Sequence, residues 1–265
     1  MSQSLSYALI ALLCLLPAVF VQRREAASLD AAHWAALVLA VMGSGVWALV
    51  HVTGHWQAGL SSALWVSIAV TMSLFTMLAW SVAHAWRLTQ LLAPYMAALG
   101  VLGLFSPDTT QAPMAGPVDA WVALHILVSV VTYGLVTIAA VAALAAFLQD
   151  RALKTKRPTQ FTHTLPSVAD CESMAAKLLG WGEGILGLGL VTGMAAQYRE
   201  TGHLLAFDHK TVLSVLAFVV IGTLLFVQHK TGLRGRKAAR LGLLAYLLLT
   251  LGYLGVKVVT GVILT

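Results

Sequence analysis

Nine histidines stand against ten acidic residues in this chain of 265. Four of them, His51, His55, His125 and His209, sit at or just inside the ends of long uncharged stretches. Imidazole suits such a position, because it is neutral at pH 7 more often than not and offers a lone pair to a metal at modest desolvation cost. His51 and His55, four residues apart, share a helix face. A zinc site would want three or four ligands with a thiolate or carboxylate among the usual partners. The two cysteines, Cys14 and Cys171, provide neither a cluster nor a Cys-x-x-Cys pair, and suitably placed acids are few. Haem needs less: one or two histidines from facing helices, an apolar slot, and a cation near the propionates, for which Arg199, Lys210 and Lys257 are available. The lack of Cys-x-x-Cys-His excludes a covalently attached c-type haem. For any single histidine the plainer alternative is a helix cap or a local hydrogen bond, and it stays open at this point.

The other ionisable residues carry less. His229 is expected at the opposite end of its stretch, beside Lys230, while His84 and His163 read as solvated and His33, next to Trp34, as an interfacial residue. Glu183 and Asp208 are the remaining acids near apolar runs, and no chain of Asp, Glu and His crosses them, which disfavours a proton pump. No P-loop, nucleophile elbow or metalloprotease helix motif is present, so hydrolytic or ATP-driven chemistry has no visible machinery.

What must position these residues follows from composition. With 59% hydrophobic and 10% charged residues, against about 25% charged in ordinary soluble domains, the chain cannot cover a water-soluble surface. Lipid is its natural solvent, in keeping with a mean hydropathy of +0.86. A bilayer core about 30 Å thick takes about 20 apolar residues in helical form. Eight stretches of suitable length predict eight transmembrane helices, at 4–21, 31–52, 61–83, 88–105, 120–149, 178–197, 211–228 and 241–264. The expected fold is an all-α polytopic bundle forming a single membrane domain over 1–265. Segment 150–177 reads as a basic linker ending in an interfacial helix. Gly180-x-x-x-Gly184 and Gly189-x-x-x-Gly193 predict close helix packing.

The net charge of +6 and pI near 9.6 do not point to nucleic acid once the basic residues are placed. Thirteen of the 16 Lys and Arg fall in alternate loops on one side, whereas Arg199 and Lys210 are on the other and Lys257 lies within the last stretch. The positive-inside rule makes the basic side cytoplasmic and puts both termini, with His51, His55, His125 and His209, at the outer level. Trp34, Trp80, Trp86 and Trp181 near inner ends, and Trp47, Trp56 and Trp121 near outer ends, are expected as interfacial anchors.

Five segments then resemble one family. They are His125-Ile-Leu-Val-Ser-Val-Val-Thr-Tyr-Gly, Gly187-Leu-Gly-Leu-Val-Thr-Gly193, Asp208-His209-Lys210-Thr-Val-Leu-Ser214, His229-Lys-Thr-Gly-Leu-Arg-Gly-Arg-Lys-Ala-Ala239 and Gly252-Tyr-Leu-Gly-Val. In this order they are similar to the cytochrome c assembly family, in its short YpjD/HemX-like branch related to CcsA. The resemblance covers spans five to eight well and spans two to four, through Gly54-His55, weakly. It implies a polytopic haem-handling protein, expected in the bacterial inner membrane and binding haem b non-covalently, and the charge pattern makes both termini periplasmic. His125 corresponds to an external haem ligand and His229 to a ligand within the membrane. Two features of the relatives differ here: the outer tryptophan-rich segment is reduced to 207–211, and the terminal Gly-Leu-His-Ser-Tyr motif is absent. His209 is the candidate replacement ligand, with His51 or His55 competing, and Lys210 and Lys257 are the candidates to face propionates. The expected function is to hold or pass haem in cytochrome c assembly or haem homeostasis without bond-making chemistry of its own. The expected partners are haem, the bilayer and other cytochrome c assembly proteins. The alternative is a scaffold or regulatory subunit that keeps the fold without haem. A true haem lyase would need a thiol-delivery protein and an apocytochrome as well.

Overall fold

Lipid offers no partner for a backbone N–H or C=O, so a chain this apolar must satisfy its backbone segment by segment, which α-helices do. The computed structural model describes residues 2–21, 30–54, 59–106, 120–202, 209–232 and 235–255, and these contain helices and turns but no strand. The helices are α1 (Ser2–Phe20), α2 (Ala31–Gly54), α3 (Leu60–Ser81), α4 (Thr89–Phe105), α5 (Ala120–Thr155), α6 (Gln160–Thr164), α7 (Val168–Thr201), α8 (His209–Thr231) and α9 (Arg236–Thr250). A 3₁₀ turn, Ala85–Leu88, leads into α4, and one wide π turn, Leu251–Gly255, continues α9. The protein is an all-helical, multi-pass membrane bundle. Among the described residues six helical segments, on α2, α3, α4, α5, α7 and α8, are long and apolar enough to cross a bilayer, and the apolar part of α1, Leu5–Phe20, is shorter. Most of the expected eighth span beyond Gly255 lies outside the described residues.

The polar segment 150–177 departs from its expected form. α5 runs 36 residues and α7 runs 34, about 54 and 51 Å at 1.5 Å per residue, so both outrun an apolar layer of about 30 Å. Residues 150–155 and 168–177 continue these two helices past the apolar stretches, leaving only 156–167 as connection. Lys154 pairs with Asp150 at 2.7 Å on the last turns of α5. Ser167 caps α7 by accepting from the Asp170 amide, and Asp170 itself complements the helix dipole.

The chain packs as two units, Met1–Ala115 with His163–Pro166, and Gly116–Thr162 with Ser167–Thr265. In the first, α1 and α3 each pack against both α2 and α4. α1 and α2 approach so closely at Gly43 that a Cβ there would overlap the Cys14 side chain. Trp65, 0% exposed, lies against α4 where Gly100 and Gly103 leave room for its ring, and Trp47 tilts against it with centroids 5.5 Å apart. Trp47 and Trp86 are thus core residues, unlike the exposed Trp80 of the same unit, which fits the anchor role.

In the second unit α5 and α8 each pack against both α7 and α9. Gly182 meets Val136 of α5, Gly189 meets Val128 and Gly193 meets His125, whereas nothing lies within 4 Å of a Cβ built on Gly180 or Gly184. Close packing of α7 on α5 therefore uses Gly182, Gly189 and Gly193, which share one helical face, and only one of the two Gly-x-x-x-Gly pairs takes part. On another face Gly187 meets Phe218 and Gly222 meets Glu183, an antiparallel register between α7 and α8. At the far end of that pair the Gly235 amide donates to Glu172 Oε1 at 2.6 Å. Gly235 adopts φ +73°, a region that favours glycine, as the chain turns into α9.

Candidate functional site

His125 stands on the second turn of α5, half-buried, with its ring against α7. Its Nδ1 lies 3.1 Å from the Gly189 carbonyl oxygen and 3.3 Å from Thr192 Oγ1. The Thr192 hydroxyl lies 2.9 Å from the Leu188 carbonyl oxygen and 3.1 Å from that of Gly189. A Cβ on Gly193 would sit 2.9 Å from His125 Cε1 and 3.6 Å from Nε2, so the imidazole occupies the space that a side chain there would fill. Nε2 has no hydrogen-bond partner among the described residues. The bond from His125 therefore runs to another helix, 64 residues away in sequence.

His51 contrasts with it. It belongs to the first unit, where its ring stacks on Trp47 of the same helix at 3.8 Å and 11°, and its Nδ1 lies 3.0 Å from the Trp47 carbonyl oxygen. That is the local bond expected of an interfacial histidine. His55 and Lys257 lie outside the described residues. His209 and Lys210 open α8, and their side chains lie outside the described ones. The α7–α8 register set by Gly187 with Phe218 and Glu183 with Gly222 brings the backbone near Val212 to the level of Gly193, so α8 starts about one turn beyond the cradle of His125. His229 is exposed on the last turn of α8. Among the described residues no three His, Cys, Asp or Glu gather as a metal cluster, a condition that a haem ligand does not have to meet.

Two buried groups were not singled out as sites from sequence. His33, read there as interfacial, is 3% exposed, with its ring edge-on to Trp86 at 5.1 Å and its Nε2 unpartnered among the described residues. The 3₁₀ turn carrying Trp86 buries it, and no local pattern announces that contact. Glu183 sets one carboxylate oxygen in the space left by Gly222, and its Oε2 is buried with no partner among the described residues. The sequence signal for Glu183 was available: an acid about one turn inside an apolar run.

Comparison with known proteins adds the following. The sequence model of the family described as Cytochrome C assembly protein matches residues 7–264. A relative from Azospirillum brasilense, described as "Uncharacterized 28.8 kDa protein in nifR3-like 5'region", is 52% identical over 273 residues, covering 100% of both chains. Protein HemX of Brevibacillus brevis is 24% identical over 156 residues, covering 58% of this chain and 57% of its own. No solved structure matches.

Proposed function

Because the chain belongs to the cytochrome c assembly family, we propose that it binds haem b non-covalently near the outer face of the bacterial inner membrane and hands it on in cytochrome c assembly or haem homeostasis. The observation that carries this proposal is the seating of His125: a membrane-level imidazole held between two packed helices, over a glycine, with one nitrogen unpartnered. That nitrogen is left available to a ligand while the ring itself is held. The cradle would hold His125 as one protein ligand to the iron of a haem. Bound haem supplies an iron that a neutral imidazole nitrogen can coordinate. His125 is that ligand from α5, and α7 holds its ring in place.

His209 is the second ligand in this proposal, supported by its position at the start of α8, in the same unit as His125. Lys210 and Lys257 are the cations assigned to propionates, and His229 the ligand of an inner site, as the family resemblance implies. Thirteen basic residues on the side opposite His125 support an orientation with both termini periplasmic. The partners of this function are haem, the bilayer and other cytochrome c assembly proteins, with no nucleic acid.

The test is an absorption spectrum of the purified protein with His125→Ala and His209→Ala beside it. A low-spin haem signal is expected in the parent, removed or converted to high spin in each variant that still inserts. Full retention in the His125 variant would sink the ligand assignment. A parent that takes up no haem would instead favour the scaffold alternative.

A further inference from the structure

We propose that one turn of α7, through the Gly189 carbonyl, the Thr192 hydroxyl and the bare α-carbon of Gly193, fixes the His125 ring in a single tautomer with its proton on Nδ1 and its lone pair on Nε2. This deepens the haem proposal and rests on it for its purpose, while its geometry stands without haem.

The Gly189 carbonyl oxygen, 3.1 Å from Nδ1, has only lone pairs to offer. Thr192 Oγ1, 3.3 Å from Nδ1, has one proton, and two carbonyl oxygens, those of Leu188 at 2.9 Å and Gly189 at 3.1 Å, stand ready to take it. The hydroxyl therefore also turns a lone pair toward the ring. With two acceptors converging on Nδ1, a bare Nδ1 would face lone pairs alone and lose both hydrogen bonds, so the neutral ring carries its proton there and donates it. Nε2 is then the unprotonated nitrogen, and it has no partner among the described residues.

Gly193 sets the third constraint. A Cβ at this position would stand 2.9 Å from Cε1 and 3.3 Å from Nδ1, pushing the ring off both acceptors. Thr192 and Gly193 are thus positioning residues for a ligand that α5 supplies. A histidine that coordinates a metal through one nitrogen is oriented, and made more basic, by the hydrogen bond on its other nitrogen, and losing that bond typically costs 10–100-fold in affinity.

The experiment uses the full chain in detergent, haem-free, with ¹⁵N-labelled histidine, the His125 signals being identified by their loss in His125→Asn. Long-range ¹H–¹⁵N correlation is expected to show a protonated Nδ1 and an unprotonated Nε2. The reverse pattern, or signals averaged over both tautomers, would overturn the lock even if haem binds. Thr192→Val should move the pattern toward averaging and weaken binding of added haem about 10-fold, whereas Thr192→Ser, which keeps the hydroxyl, should restore both. An unchanged tautomer and unchanged haem affinity in Thr192→Val would remove Thr192 from the device. Failure of the haem proposal has a different signature: a locked tautomer in a protein whose haem uptake does not respond to His125→Ala.

Discussion

At the scale of residues, what separates the histidines is how each ring is held. His51 bonds and stacks within its own helix, so its contacts would survive in an isolated α2. His125 needs α7 for both acceptors and for the gap at Gly193, so its geometry exists only when two helices are packed. His229 is exposed at a helix end, beside Lys230, where imidazoles commonly hydrogen-bond locally or to water. His229→Ala is accordingly expected to leave the haem signal attributed to His125 intact. A partial loss of haem per protein, read from a pyridine haemochrome assay, would establish a second, inner site that depends on this residue.

At the scale of elements, glycine marks where helices touch, but only on the faces that have a neighbour. Gly43 brings α1 and α2 together at Cys14, and a methyl there would overlap the Cys14 side chain. Gly43→Ala should therefore destabilise the first unit by about 1–3 kcal/mol, the usual cost of overpacking, seen as a lower midpoint of thermal unfolding in detergent. Gly184→Ala is the contrasting case. With nothing within 4 Å, its added methyl meets no neighbour, and alanine improves helix propensity by up to about 1 kcal/mol. The midpoint should hold or rise, and a clear fall would mean that a neighbour covers this face of α7.

At the scale of the whole molecule, charge gives the orientation its test. On the eight-span reading of the sequence, thirteen of the 16 Lys and Arg fall in alternate loops on one side, among them those on the polar ends of α5 and α7, helices of 36 and 34 residues. If that side is cytoplasmic, a reporter that works only in the cytosol should be silent when fused after Thr265, and one fused within 156–167 should be active. Strong cytosolic signal from the C-terminal fusion would reverse the orientation and move His125 to the inner level.

The sequence by itself determined the solvent and the helical class, because each depends on composition summed over about 20 residues and not on any neighbour. It also singled out His125, since a histidine inside an apolar run is conspicuous in one dimension and the family segment begins with it. Packing decided the rest. The Gly-x-x-x-Gly spacing recurs twice in α7 but cannot tell which face of the helix meets α5, and only the structure separates Gly189 and Gly193 from Gly180 and Gly184. His33 looked interfacial beside Trp34, yet it is buried because Trp86, more than 50 positions away, folds over it. Trp47 and Trp86 likewise had the sequence positions of interfacial anchors and became core. Burial and hydrogen bonding between helices depend on contacts distant along the chain, and no local pattern of residue types encodes them.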